Sequence, residues 1–246
     1  MNEELVDKLK YLRLGGLLEQ WDQYLKLGAK KRYSHSQLLT YILEEEYRIK
    51  RENARQRRLK RARIPEPFVI ETFPFRQQPK LNKKRIQALY DSFEWINNSQ
   101  NIIWLGPTGC GKTGLATSFL THAINSGCTG RYILFSELIG QFYSSVADHS
   151  EEKVLKRYLS CDCLLIDEIG YVEVEPVQVG LFFTLMHRRH KKKSTMITSN
   201  LGFSEWGSFL HNDQLTAALI SRLTEISHVI NMKNCVSLRA RLSQNL

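Results

Sequence analysis

NIIWLGPTGCGKT, residues 101–113, sets the reading of the whole chain. A strand-like run, Asn101–Leu105, feeds Gly106, Pro107, Thr108, Gly109, Cys110, Gly111, Lys112 and Thr113. The eight residues match G-x4-G-K-[ST], between an apolar strand and an incipient helix. Glycines let the backbone curl until its N–H groups converge on phosphate oxygens, and the helix N-terminus adds partial positive charge. Lys112 can then reach β- and γ-phosphates, and Thr113 can ligate Mg2+. A glycine-rich turn can match by chance; the strand before it and the helix after it are what chance does not supply.

Downstream the chain alternates between strands and helices. Strands are expected at Asn101–Leu105, Arg131–Phe135, Cys163–Asp167, Thr195–Ser199 and His228–Met232, with helical periodicity near 112–125, 137–146, 152–159, 176–190 and 213–223. Apolar strands separated by helices predict an α/β fold: a three-layer domain around a mainly parallel five-stranded sheet.

Two further segments end at the same edge of that sheet, and a third ends a helix. Cys163–Glu168, CLLIDE, is an apolar strand closing on two carboxylates about 55 residues after the glycine loop. Asp167 is suited to hold a Mg2+-bound water, and Glu168 to orient or deprotonate an attacking water. Two acids at a strand end are common; their pairing with the loop gives them meaning. Thr195–Asn200, TMITSN, delivers Asn200 to the same edge, either as a water-positioning group near a γ-phosphate or as a turn residue before Leu201-Gly202. Arg222 ends the helix ALISRL and reads either as an arginine finger for a neighbouring subunit or as a cation favourable at a helix C-terminus; spacing alone favours the second.

Upstream the pattern is helical. Leu5, Leu9, Leu12, Trp21 and Leu25 recur at helical steps, with Gly15 and Gly16 as a break. Ser34 or Ser36 can cap a longer helix whose apolar stripe is Leu39, Ile42, Leu43 and Tyr47. Beyond it come Arg48, Lys50, Arg51, Arg55, Arg57, Arg58, Lys60, Arg61 and Arg63, opposed only by Glu52, and then Pro65 and Pro67. This predicts a small helical domain over residues 1–65 and an ATPase domain over 66–246. The nine cations span roughly 24 Å of helix, about seven base pairs, and fall on several faces, which suits phosphate tracking more than base reading. The alternative is a solvated face, or a tail paired with acidic surfaces of another subunit. His187–Lys193, HRRHKKK, is a second basic cluster, open to DNA, a neighbour's nucleotide or helix C-terminal placement.

Composition bounds the rest. The 246 residues are 42% hydrophobic and 24% charged, ordinary for a globular protein. The formal charge of +10 lies wholly in residues 1–85, where 21 Lys and Arg face 11 Asp and Glu. Such asymmetry suggests an anionic partner for that part. Five cysteines, with Cys161-x-Cys163 as the one close pair, support neither a disulfide framework nor a zinc site and fit a reducing, cytoplasmic setting. No uncharged apolar stretch is long enough to cross a bilayer, and the acidic MNEELVDK start is unlike a secretory signal.

Taken in order, these segments resemble the AAA+ ATPases of the IstB/DnaC group, P-loop NTPases of the ASCE type, and most closely the IstB-like transposition helpers. The likeness runs through YLRLGGLLEQW, LLTYILEEEYRIKRENARQRRLKRARIP, FPF, GPTGCGKTGLA, LLIDEIGY, STMITSNLGFSEW and ALISRL. It implies an ATP- and Mg2+-dependent protein that binds duplex DNA, forms homo-oligomers with ATP and partners an IstA-type transposase. It implies Lys112 and Thr113 as the Walker A pair, Asp167 and Glu168 as Walker B, Asn200 as sensor 1 and Arg222 as the arginine finger. Gly114 stands where relatives often carry His or Ser, Ser221 where Asp is usual, and Ser237-Leu238-Arg239 where relatives tend to read Ser-Tyr-Arg. No phosphate-sensing role is therefore assigned to Arg239, and the few residues after the last strand leave no room for a full helical lid. A replicative helicase loader shares the same plan and is the alternative. A GTPase is disfavoured by the lack of Asn-Lys-x-Asp, and a small-molecule kinase by the Asp-Glu pair and Asn200. A non-hydrolysing DNA scaffold is disfavoured by Glu168.

Overall fold

A computed structural model of the chain describes residues 1–239; the last seven positions of the expected 66–246 domain lie outside the described residues. The chain forms two compact units, Met1–Arg57 and Arg58–Leu246.

The first unit is built from α1 (Glu3–Tyr11), α2 (Gly15–Lys31) and the greater part of α3 (His35–Ala62). Asn2 caps α1 by accepting the Leu5 N–H at 3.0 Å. Ser34 and Gln37 form a reciprocal capping box on α3, with Gln37 N–H donating to Ser34 Oγ at 3.3 Å and Ser34 N–H to Gln37 Oε1 at 2.9 Å. The expected break falls just before the glycine pair, since α1 ends at Tyr11 and α2 begins at Gly15. A Cβ on Gly16 would lie 2.5 Å from Ile49 Cδ1 and 2.8 Å from Glu46 Oε2, so a larger residue there would have to displace those side chains. At this contact the buried Glu46 accepts the Leu17 N–H at 2.9 Å, placing a carboxylate on the first turn of α2.

The second unit holds the sheet. Its strands are β1 (Asn101–Leu105), β2 (Gly130–Leu134), β3 (Cys163–Ile169), β4 (Ser194–Ser199) and β5 (Ser227–Asn231). They pair in the order β2-β3-β4-β1-β5, and every pairing is parallel. Parallel strands need crossovers. These are α6 (Lys112–Asn125), α7 (Phe135–Ala147) with α8 (Glu151–Leu159), α9 (Pro176–Arg189), and the short α10 (Trp206–Leu210) with α11 (Asp213–Glu225). Before the sheet, α4 (Lys83–Ser92) and α5 (Glu94–Asn97) are separated at Phe93, whose φ of 58° breaks the helix.

Alternation along the strands separates two cores. Ile103, Leu105, Ile133, Leu164, Ile166 and Ile197 pack under α7, α8, α9 and α11. Ile102, Trp104, Leu165, Met196 and Ile230 pack on the other face, with α6 and residues from the segment before the sheet, including Ile70, Phe73, Ile86 and Trp95. Burial on both faces is why these strands read as continuous apolar runs.

Candidate functional site

In the sheet order, β4 lies between β1 and β3. The glycine loop leaves the carboxyl end of β1, the two acids leave β3, and β4 brings polar groups between them. Such an edge is where ligands bind in open α/β sheets.

The loop is anchored at its base, where Gly106 N–H donates to Ser199 O at 3.1 Å. Gly109 and Gly111 have φ of 81° and 94°, a region side-chain-bearing residues avoid. A Cβ on Gly109 would meet Ser237 Oγ at 2.5 Å, and one on Gly111 would meet Phe73 Cε2 at 2.5 Å. These glycine faces are thus packed closely by Ser237 and Phe73. Thr108, Gly109, Gly111, Lys112, Thr113, Glu168 and Asn200 help to line a cavity of about 640 Å3. Lys112 Nζ donates to the carbonyls of Gly106 at 2.7 Å and Pro107 at 2.8 Å. Burial holds the Lys112 pKa below the ordinary lysine value, with Cys110, Asp167 and Glu168 opposing. Cys110 points into the core instead, where burial raises its thiol pKa.

Asp167 is the hub of the site. It is buried, and its carboxylate accepts hydrogen bonds from Thr113 Oγ1 at 3.0 and 3.1 Å, from Tyr132 OH at 2.9 Å and from Thr198 Oγ1. Three hydroxyls from α6, β2 and β4 therefore fix one carboxylate. Burial, and then the Asp167 charge, push the Tyr132 phenol far above its ordinary pKa, so it stays a donor.

A bulge lets Glu168 do something different. Ile166 pairs with Ile197 and Ile169 with Ser199, leaving two residues of β3 opposite Thr198. Glu168 takes φ of 64° there, and its N–H donates to Thr198 Oγ1 at 2.9 Å. Its side chain is exposed and lines the cavity, while Asp167 stays buried beneath Thr113. Sequence spacing identified both acids but neither Tyr132 nor Thr198. No local signal marks them: β4 reads STMITS, in which Thr198 is one of four hydroxyl residues.

Asn200 also reaches the cavity, and its Oδ1 is buried without a hydrogen-bond partner among the described residues. Arg222 does not line it. Its Nε donates to His187 Nδ1 at 3.2 Å, an NH group donates to Ala218 O at 3.0 Å, and its guanidinium lies 5.0 Å from the Phe183 ring centroid. The opposite wall comes from a segment that sequence reasoning left unassigned. Pro65, Phe68, Phe73 and Pro74 line it, and the aromatic cluster after two prolines was the available signal.

Of the expected DNA-contacting residues, Arg48, Lys50, Arg51, Arg57, Lys60, Arg61 and Arg63 are exposed. Arg48, Lys50 and Arg55 pair with Glu45, Glu46 and Glu52. Arg58 is half-buried and reaches Ile124 O at 3.4 Å. The HRRHKKK cluster is largely absorbed within the fold. Arg188 pairs with Glu152, His190 and Lys191 with Glu225, and Lys193 with Asp162. Arg189 is fully buried, donating to the carbonyls of Tyr158 at 2.6 Å, Cys161 at 3.0 Å and Ser194 at 2.6 Å, and to Thr195 Oγ1 at 3.0 Å.

A family model for IstB-like ATP binding proteins matches residues 7–245. The chain belongs to the IstB-like ATP binding protein family. Among its relatives is a protein of insertion sequence IS21 from Pseudomonas aeruginosa, named as ATP-binding. It is 31% identical over 230 residues, covering 94% of this chain and 86% of the relative. Another, from insertion sequence IS5376 of Geobacillus stearothermophilus, is 30% identical over 233 residues, covering 95% and 92%. Among solved structures, DnaI superposes with a TM-score of 0.57 at 16% identity, covering 69% of this chain and 92% of that one. The DnaC helicase loader gives 0.52 at 22% identity, covering 61% and 87%. These two likenesses show that this IstB-like chain shares their α/β fold. Among the described residues no helix is long and apolar enough to cross a membrane.

Proposed function

We propose that the chain is a Mg2+-dependent ATPase that assembles with ATP on duplex DNA and presents that DNA to an IstA-type transposase. The observation that carries the ATPase reading is Thr113 Oγ1 held on both oxygens of Asp167 at the end of a glycine loop that lines the cavity. Thr113 and Asp167 would hold the metal, one directly and one through water. Magnesium, when bound, supplies neutralising charge against phosphate. Lys112 is positioned beside the cradle to bind phosphate oxygens, and the loop N–H groups with the α6 N-terminus add to that binding. Glu168, set apart from Asp167 by the bulge, takes the proton of the attacking water. Asn200 brings an amide whose Oδ1 lacks a partner among the described residues, which suits it to orient that water. Phe68 and Phe73 offer the apolar surface on which a base can stack.

The assembly and DNA parts rest on the family, on the insertion-sequence relatives and on the exposed cations of α3. Arg222 lies off its own chain's cavity, and we assign it to a neighbouring subunit's nucleotide as an arginine finger. The test is particle size with and without ATP and duplex DNA, for the parent, Lys112→Ala and Glu168→Gln. The parent should assemble only with both ligands, Lys112→Ala should not assemble, and Glu168→Gln should form a DNA-bound particle that persists after ATP addition. A parent particle that stays single under all conditions would overturn the reading. Co-purification with a hexameric helicase would redirect it to helicase loading.

A further inference from the structure

Residues 76–85, RQQPKLNKKR, carry five Lys and Arg and no Asp or Glu. Together with the +8 of residues 48–63 this gives +13, so the remainder of the chain, at −3, balances the total of +10. The basic helix is therefore only part of the chain's positive charge, and residues 76–85 hold the next block.

Arg76, Lys80, Lys83, Lys84 and Arg85 are all exposed, and none is in an ion pair among the described residues. Elsewhere in the second unit, surface cations such as Arg188, Lys191 and Lys193 do find carboxylates. The backbone beneath the five is fixed. Gln78 is buried and pairs reciprocally with Val236, donating from Nε2 at 2.7 Å and accepting the Val236 N–H at 3.0 Å. Leu81 and Ile86 are core residues, and Asn82 Oδ1 caps α4 by accepting the Arg85 N–H at 3.0 Å. Lys83 Nζ lies 5.6 Å from the Phe75 ring centroid. The fold thus holds the backbone in place and turns five cations outward. Lys83, Lys84 and Arg85 fill the first turn of α4, where the helix dipole disfavours positive charge. No carboxylate of the described residues pairs with these three cations, and α4 has no acidic residue in its first turn.

The strip lies by the edge strand β5. Gln78 bonds just beyond its carboxyl end, and Arg85 is near enough to His228 to lower that imidazole's pKa, second to burial. A five-residue strand is about 16 Å long, close to the rise of about five nucleotides on one strand of a duplex. Residues 76–85 include no aromatic ring to stack on an unpaired base. We propose that Arg76–Arg85 is a second DNA site, on the ATPase unit itself, that tracks the phosphate backbone of duplex DNA. The inference rests on the DNA-binding reading above and adds a contact surface beyond α3.

The test is binding of the full chain with ATP to a 30-base-pair duplex, over a salt series, by fluorescence anisotropy. The strip variant replaces Lys80, Lys83, Lys84 and Arg85 with Gln, and the helix variant replaces Arg55, Arg57, Arg58 and Arg61 with Gln. Each lost phosphate contact takes about 0.9 from the slope of log K against log salt. The strip variant should have a slope shallower by about 2 to 4 and bind at least about tenfold more weakly at 0.1 M salt. Lys80→Gln and Lys84→Gln singly, each expected to remove about 0.9, carry the test if the fourfold variant does not fold. A parental slope in the strip variants overturns the strip, and a loss in the helix variant alone then leaves the DNA reading standing. A parent that binds no duplex at any salt overturns both. Loss of assembly with ATP and duplex DNA in the strip variants, with the salt slope unchanged, reassigns the strip to a subunit contact.

Discussion

Thr198→Val isolates the interaction that separates the two acids. Thr198 is completely buried, and its hydroxyl serves both sides of the bulge, accepting the Glu168 N–H at 2.9 Å and donating to Asp167 Oδ1. Valine keeps the shape and removes only these bonds. An unpaired buried N–H costs about 1–3 kcal/mol, and a lost hydrogen bond to a charged group about 1.5–3 kcal/mol. Asp167 keeps Thr113 and Tyr132, so relaxation recovers part of this and a net loss of about 3 kcal/mol is expected. For a chain of this size that lowers the melting midpoint by about 6–12 °C. The left-handed Glu168 backbone itself costs about 1 kcal/mol or more. Without its N–H partner it is free to relax toward an ordinary strand, which withdraws the carboxylate from the cavity. Displacement of a catalytic group by about 1 Å can cost about 100-fold in rate. Urea unfolding and steady-state ATP turnover measure the two effects, with Thr198→Ser as the control that keeps the hydroxyl. A Thr198→Val protein with parental stability and turnover, or a serine variant as damaged as the valine one, would refute the reasoning.

Tyr132→Phe should leave Asp167 with two hydroxyl partners and raise the Mg2+ concentration needed for half-maximal turnover by about three- to tenfold; an unchanged Mg2+ titration would remove Tyr132 from metal positioning. Arg189→Met should destabilise the second unit by about 3–5 kcal/mol in urea, because the carbonyls of Tyr158, Cys161 and Ser194 lose their donor. A loss under about 1 kcal/mol would show that the carbonyls find other partners. Asp162 supplies a pH signature: although burial raises its pKa, Lys193 and Thr129 outweigh that and hold it at about 2. A depressed carboxylate stabilises above its unfolded pKa and loses that contribution as pH falls toward the folded value. Asp162→Asn should therefore cost about 1 kcal/mol at neutral pH, discounted for its partial exposure, with the gap from the parent closing below about pH 4. A gap constant down to pH 2 would contradict the pairing.

The sequence-based α/β reading holds because the central strands β1, β3 and β4 are buried on both faces and each helix carries its own period. β1 and α6 fall at their expected bounds, Asn101–Leu105 and Lys112–Asn125. β3 runs two residues past its expected end because the bulge keeps Glu168 and Ile169 in the ladder. Side-chain partnership across the sheet has no local signature, so Tyr132 and Thr198 were not legible as Asp167 donors. The reverse holds for HRRHKKK, whose composition is that of a surface patch although Arg189 is a core residue. For α3, counting acids only within residues 48–63 overlooks Glu45 and Glu46, one turn upstream, which pair with Arg48 and Lys50. The Phe68 and Phe73 wall was equally hidden, because those residues precede the sheet by about 30 positions and meet the loop only in the folded chain.

Every step proposed for this protein requires a nucleoside triphosphate held at Gly106–Thr113 with Lys112 on its phosphates. The most direct measurement is an equilibrium titration of Mg·ATP into the parent and into Lys112→Ala, by calorimetry. One saturable site per chain in the parent, weakened about 30-fold or more in the variant, is the predicted result. Equal affinity in the two proteins, or no heat of binding in the parent, would contradict it.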